Sequence, residues 1–170
     1  MLNEGGALAE EAIRAKSFEV VDDEGNVRAR TTTMSSGGVA TNLFDSKGNP
    51  RVSLGVNQAD VPTFGLYDAD GTVRVEIGSG VDGQIVRLND EDGNPRAMMA
   101  LLTEEGSAPA MTFVDKEGNP RVQLQLTQTG LAAIGFNDES GEVHVALGRD
   151  DEGESLLLYY DAQGNQTRIF

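Results

Sequence analysis

Leu66-Tyr67-Asp68-Ala69-Asp70-Gly71-Thr72-Val73-Arg74-Val75-Glu76-Ile77-Gly78 decides how this chain is built, because the stretch recurs. With Gly71 as the anchor, equivalent glycines stand at Gly25, Gly48, Gly93, Gly118, Gly141 and Gly164, at steps of 23, 23, 22, 25, 23 and 23 residues. Seven copies therefore run from about residue 18 to the end. Self-similarity at such a period indicates a repeat architecture.

Each copy reads by position. Three residues before the glycine stands Asp22, Asp45, Asp68, Asp90, Asp115, Asp138 or Asp161. Three residues after it come Arg28, Arg51, Arg74, Arg96 and Arg121, then His144 in the sixth copy and Thr167 in the seventh. Asp first and Gly fourth is the composition of a type I turn: the carboxylate caps the turn backbone and the glycine accepts positive φ. Three-residue hairpin loops use this chemistry, with the glycine forming a bulge. Pro50, Pro95 and Pro120 sit where the next strand begins, a place that tolerates a missing N–H.

After the turn, Val73, Val75 and Ile77 alternate with Arg74 and Glu76, and Val143, Val145 and Leu147 repeat the pattern. Before it, Phe64 and Leu66, Met111 and Phe113, or Ile134 and Phe136 are the apolar positions. Period-two alternation of this length reads as a half-buried strand. One copy is thus strand, Asp-x-x-Gly turn, strand and a looser second turn, giving about fourteen strands over the seven copies. A simple hairpin with a glycine bulge would set Arg74 across from Leu66, a charge in an apolar row, and side-chain faces are fixed by register. Either an extra bulge resets the parity and the chain is a rolled antiparallel meander, or the strands form corners and the chain is a β-solenoid. The specificity of the turn chemistry favours antiparallel pairing.

Composition narrows the function classes. With 28 acidic and 13 basic residues the net charge is −15, which opposes nucleic-acid backbones and anionic membrane surfaces. Many of the acids fall in turns, such as Asp90-Glu91-Asp92 and Asp150-Asp151-Glu152, where they aid solubility. The chain has no cysteine, which removes disulfides and thiolate metal sites. No apolar run is long enough to span a bilayer, and residues 1–6 lack the pattern of a signal peptide. Residues 7–16, Ala7-Leu8-Ala9-Glu10-Glu11-Ala12-Ile13-Arg14-Ala15-Lys16, are the one stretch rich in helix formers. They are expected to form a short helix that caps the first repeat, contacts a sister chain or frays. The division is an N-terminal helical or capping segment over 1–17 and a seven-repeat β domain over 18–170. The first copy is degenerate at Thr31-Thr32-Thr33-Met34-Ser35-Ser36, and the fourth carries Met98-Met99 and a longer excursion from Glu104 to Pro109.

The pattern apolar-x-Asp-x-x-Gly-x-x-Arg-Val/Ala-x-Leu-Gly, opened by Ile13-Arg14-Ala15-Lys16-Ser17-Phe18-Glu19-Val20-Val21-Asp22, resembles a class of poorly characterised bacterial repeat proteins. Similar hairpin repeats occur in tail and fibre proteins of some bacteriophages. The resemblance covers nearly the whole chain and implies an elongated or oligomeric β structure, with a trimer favoured, at a virion or bacterial cell surface. It carries no catalytic or binding residues to transfer.

Four features of the sequence bear on chemistry. Seven acidic turns invite calcium, yet no EF-hand loop or glycine-rich nonapeptide is present; Asp68 with Asp70, and Asp90 with Asp92, offer at most a weak site beside their role as turn caps. His144, the sole histidine, fills an arginine slot, which favours a substituted surface residue over a base, and nothing distinguishes Ser140 or Ser155 as a nucleophile. Gly78-Ser79-Gly80-Val81-Asp82-Gly83 lacks the Lys and the helix of a phosphate loop. The arginine row has the most content. It is either a ladder paired with the turn aspartates or a stripe for an anion or glycan, and an Asp in every repeat favours the ladder. No catalytic, cofactor-binding or metal-ligating residue is assigned, and no cofactor is expected. The expectation is an all-β, non-enzymatic structural or assembly protein, a homo-oligomer without nucleic-acid partners or membrane insertion. The rival class is a glycan- or protein-binding module using the loops Gln58–Thr63 and Glu104–Pro109; an enzyme comes third.

Overall fold

The computed structural model describes residues 13–35, 37–80, 83–102, 108–126, 131–150, 152–161 and 163–169. These residues form fourteen strands and no helix. In chain order the strands are β1 Ser17–Val21, β2 Val27–Thr33, β3 Val39–Phe44, β4 Pro50–Val56, β5 Pro62–Tyr67, β6 Val73–Gly80 and β7 Gly83–Asn89. They continue with β8 Pro95–Leu102, β9 Ala108–Val114, β10 Pro120–Leu126, β11 Ala132–Asn137, β12 Val143–Arg149, β13 Ser155–Tyr160 and β14 Gln166–Arg168. All lie in one sheet in sequential order, each antiparallel to the next. The chain is therefore a meander and not a solenoid, and the sheet is open. The helix expected over 7–16 falls mostly outside the described residues, and its last four, Ile13 to Lys16, are not helical.

The Asp-x-x-Gly turns form as the residues dictate. In the third copy the Asp68 N–H donates to the Thr72 carbonyl at 3.0 Å, and the Gly71 N–H donates to the Asp68 carbonyl at 3.3 Å. Gly71 has φ of +88°. The same two bonds close every copy from Asp22 to Asp161. A looser second turn is expected from the sequence between copies, but where these turns are described they are as tightly closed as the first. Met34 to Gly38, Asn57 to Val61 and Asp150 to Glu154 carry the same bonds, with Asp60 at φ 58° doing the work of glycine. Asn57 caps its turn as an aspartate would, its side-chain oxygen accepting from Ala59 and Val61.

The parity problem is solved by a second bulge, and the bulged residue is the repeated arginine. Tyr67 pairs with Val73 and Leu66 with Val75, so Arg74 has no partner of its own. Equivalent shifts free Arg28, Arg51, Arg96, Arg121 and His144. The seventh copy has no such shift: Thr167 faces Tyr159 directly. The extra residue puts Val75 and Ile77 on the same face as Leu66 and Phe64, where a regular ladder would have put Arg74 and Glu76.

With parity restored, one face carries two unbroken rows across the sheet. The first runs Val20, Ala29, Leu43, Val52, Leu66, Val75, Leu88, Ala97, Phe113, Val122, Phe136, Val145 and Tyr159, ending on Thr167. The second runs from Phe18 through Thr31 and Thr41, then Leu54, Phe64, Ile77, Val86, Met99, Met111, Leu124, Ile134, Leu147 and Leu157. The threonine run that breaks the first copy's pattern is still strand, and Thr31 and Thr41 share a hydrogen bond of 2.9 Å on this face. The other face is mixed: beside the turns a row carries Val27, Phe44, Tyr67, Val73, Val114, Val143 and Tyr160, and its middle rows are mostly small or polar. One of its rows holds Ala40, Gly55, Thr63, Gly78, Ile85 and Ala100; another pairs Glu19 with Arg30 and Glu76 with Arg87.

Candidate functional site

The feature without an internal structural purpose is the apolar face. Almost nothing covers it. Leu54 is 58% exposed, Met99 51%, Leu88 50%, Phe136 47% and Phe113 45%, and all lie on the two rows. Among the described residues, the hydrophobic side chains that count as buried are Ala40 and Ala108, both on the opposite face. None of the described large side chains is fully buried. The chain exposes 12292 Å², about half as much again as the roughly 8,000 Å² of a compact monomer of its mass. Fourteen strands at about 4.8 Å make a stripe roughly 65 Å long, and two rows make it about 14 Å wide, near 900 Å² of apolar surface. A soluble monomer rarely exposes a contiguous patch beyond a few hundred Å².

The opposite face is closed in places by its own geometry. A Cβ added at Gly55 would lie 2.5 Å from the Val39 carbonyl oxygen and 3.0 Å from Ala40, so β3 and β4 approach too closely there for any side chain. At Gly65 the Tyr67 ring lies across the strand, 3.2 Å from where a Cβ would be. An open trough of about 650 Å³ runs over this face across the last three copies, past Gln123, Gln125, Gly135, Glu142, Tyr160 and Asp161. Its polar groups are already engaged in part: Gln123 accepts a hydrogen bond from Asn137 at 3.2 Å, and the Ser140 hydroxyl donates to Asp138 at 2.7 Å.

The turn carboxylates act as structural caps. Oδ1 of Asp68 accepts the N–H groups of Asp70 and Thr72 at 3.1 and 3.0 Å, and Oδ2 faces Arg74. Asp22, Asp45 and Asp161 give the second oxygen also to the asparagine amide four residues on. These bonds favour the ionised form. The Asn26, Asn49, Asn94 and Asn119 N–H groups hold Asp22, Asp45, Asp90 and Asp115 below the usual carboxylate range. For Asp68 burial pushes the other way, but the Thr72 and Asp70 N–H groups with Arg74 outweigh it. Among the described residues no three carboxylate or histidine groups converge as a metal ion would require.

The arginine row is a ladder of a different kind from the one expected. Arg28, Arg51, Arg74 and Arg121 lie 3.7, 3.8, 3.4 and 3.9 Å from the aspartate of their own copy, through one nitrogen each. These are loose, exposed, single contacts, not bidentate ones. The cross-repeat link runs to the backbone instead. Arg28 Nε donates to the Phe44 carbonyl at 3.3 Å, Arg74 Nε to Asn89 at 3.1 Å, and Arg121 reaches Asp138. Each of these bulged arginines thereby ties one hairpin to the next. His144, in the same slot, packs its ring edge-on against Tyr159 with centroids 4.8 Å apart.

Of the binding loops expected from the sequence, Gln58 to Asp60 form a closed turn and Pro62 and Thr63 open β5. Residues 104–107 lie outside the described residues, while Ala108 and Pro109 begin β9. The extent of the exposed face was the functional feature sequence reasoning missed. The alternation showed that each strand has an apolar side, and only the unbroken register shows that all of those sides join. No helix among the described residues is long and apolar enough to cross a membrane. No protein-family model and no curated protein matches the chain.

Proposed function

We propose that this is a non-enzymatic structural protein that works by self-association, burying its apolar face against further copies of itself within a fibre, appendage or surface scaffold. The observation that carries the reading is the pair of apolar rows crossing the sheet, with one large side chain on most strands some 40–60% exposed and its row neighbours half-buried. An area near 900 Å² matches the roughly 800 Å² that each partner contributes to a stable specific interface. A sheet with one apolar face must bury it against another layer, and the described chain supplies none. The opposite face, with its ion pairs, and the net acidic turns then face water and keep the assembly soluble.

The test is sedimentation equilibrium at micromolar concentration on the native chain and on Leu54→Asp and Leu124→Asp. The native chain is expected as a multiple of the monomer mass. Each substitution puts a charge into the apolar row and is expected to shift the protein towards monomer, while Thr112→Asp, on the opposite face, leaves the mass unchanged. A native chain that sediments as a monomer at every concentration refutes the reading.

A further inference from the structure

The geometry points to a binding site for a linear aliphatic diamine in the open trough over the last three copies, its two ammonium groups set beside the turn carboxylates Asp138 and Asp161. The trough lies on the face that self-association leaves in water, so the site does not depend on what covers the apolar rows.

The trough opens where two neighbouring strands lack long side chains at one level. Across the middle of this face, Gln123 on β10 is followed by Gly135 on β11 and Ala146 on β12. The comparable gap at Ser53 and Gly65 is covered by the Tyr67 ring. In the sixth copy Asn137 stands in the place of Tyr67, and its amide is tied down, donating to Gln123 at 3.2 Å and to the Gly141 carbonyl at 2.9 Å. The floor over Gly135 and Ala146 stays bare, a strip of peptide and methyl surface suited to methylene groups.

The charge around the trough departs from the rule of the repeat. In copies one, two, three and five the turn aspartate has its own arginine at 3.4–3.9 Å, and Arg96 acts on Asp90 in the fourth. Copies six and seven carry His144 and Thr167 in that slot, and the His144 ring packs edge-on against Tyr159. Arg121 reaches the Asp138 backbone carbonyl and not its carboxylate. The cap bonds of Asp138 all go to Oδ1, which leaves Oδ2 for a ligand. Asp138, Asp161 and Glu142 line the trough together, and no lysine or arginine is among its described lining residues.

An acceptor is also unmet at the floor. Asn137 is 8% exposed, and its Oδ1 has no hydrogen-bond partner; it lies 3.6 Å from the point where a Gly135 Cβ would stand. A buried acceptor left unpaired is costly, and an ammonium group brings donors only. One that enters over Gly135 supplies the donor this oxygen lacks. A metal ion fits poorly, because among the described residues the carboxylates do not converge. Asp138 and Asp161 stand one copy apart, two strands or about 10 Å along the sheet. An extended six-carbon diamine bridges that separation, and both its amines are protonated at neutral pH. Tyr160 adds an aromatic ring beside the path, which attracts a cation over its face.

Isothermal titration of hexane-1,6-diamine into the full chain at low salt tests the site, with hexylamine as the single-charge comparison. One diamine per chain is expected, bound about fivefold more tightly than hexylamine, the worth of one further exposed ion pair. Binding should weaken as sodium chloride is added. His144→Arg restores the residue that five other copies carry at this bulged position, so the fold accepts it, and it should weaken the diamine by about fivefold. Asp161→Asn removes a carboxylate yet keeps a turn cap, as Asn57 does in its own turn, and should weaken binding by a similar factor. Ser46→Arg adds one positive charge to an exposed turn of the second copy and should leave binding unchanged. Equal weakening by all three variants means general attraction to an acidic chain and overturns the site, as does the absence of saturable heat. Hexylamine that binds as tightly as the diamine overturns the bridging of two carboxylates.

Discussion

At the scale of single residues, glycines here have two separable functions. Gly71 and Gly118 have φ of +88° and +91°, and a Cβ at either would meet nothing within 4 Å. The cost of Gly71→Ala is therefore backbone strain alone, about 1 kcal/mol. Asp60 holds the same turn position at φ 58°, so Gly71→Asn should cost less than Gly71→Ala. Gly55→Ala is a different case, because its Cβ would overlap the Val39 carbonyl; strands β3 and β4 must separate, and the loss should exceed that of Gly71→Ala. Urea denaturation of the three variants checks the order. The aspartates predict an acid response. Their carboxyls titrate lower in the folded chain than the ordinary value of 3.8, so folding favours the ionised form. That contribution is fully present above pH ~4–5 and is lost as pH falls through the lowered values. Circular dichroism should show stability dropping below pH ~4 and a flat response between pH 6 and 8; stability that rises on acidification contradicts the capping role.

At the scale of the element, the unit is a hairpin with two irregularities, a left-handed glycine that closes the loop and a bulged arginine that corrects the faces. Deleting Arg74 should leave a regular ladder, since Tyr67 already pairs with Val73 and Leu66 with Val75. The seventh copy shows that a hairpin with this loop can run without the bulge. Deleting Glu76 instead would reverse every side chain of β6 beyond that point, moving Ile77 off the apolar row. The expected outcome is a folded Arg74 deletion with a modest loss from its contacts to Asp68 and Asn89, and a Glu76 deletion that melts far lower or fails to fold. Amide exchange across β5 and β6 distinguishes them. Replacing arginine without deleting it should matter little. The ion pairs are long and about two-fifths exposed on the arginine side, and such pairs are worth about 0–1 kcal/mol.

At the scale of the whole molecule, a single layer of fourteen strands has no interior. Each strand is paired with its neighbours along the sheet, but the term that ordinarily dominates folding, burial of large apolar side chains, is left mostly unspent in one chain. Stability should then depend on protein concentration, because association and folding share the same apolar surface. A melting temperature that climbs several degrees between ~1 and ~100 μM is the expected outcome. A concentration-independent midpoint would mean that the sheet is stable uncovered.

Much of this was legible in the residues themselves. The 23-residue period, the Asp-x-x-Gly turns, the strand-turn-strand copy and the antiparallel preference all rest on local chemistry: a side chain capping its own loop, a glycine at positive φ, alternation at a period of two. Such signals survive in sequence because the interacting groups lie within a few residues of one another. The partner of each arginine was legible only in part. Asp68 is six residues from Arg74 and was found, whereas the Asn89 carbonyl is fifteen residues away in the next copy and leaves no residue-type signature. The bulge at Arg74 stood as one of two solutions, and pairing between strands had to choose it. Tertiary structure alone decided that the copies lie flat in one open sheet, because alternation marks which side of a strand is apolar but not what that side meets. Register across thirteen strand pairs aligned those sides into one continuous surface, and no second layer of the described chain returns to cover it.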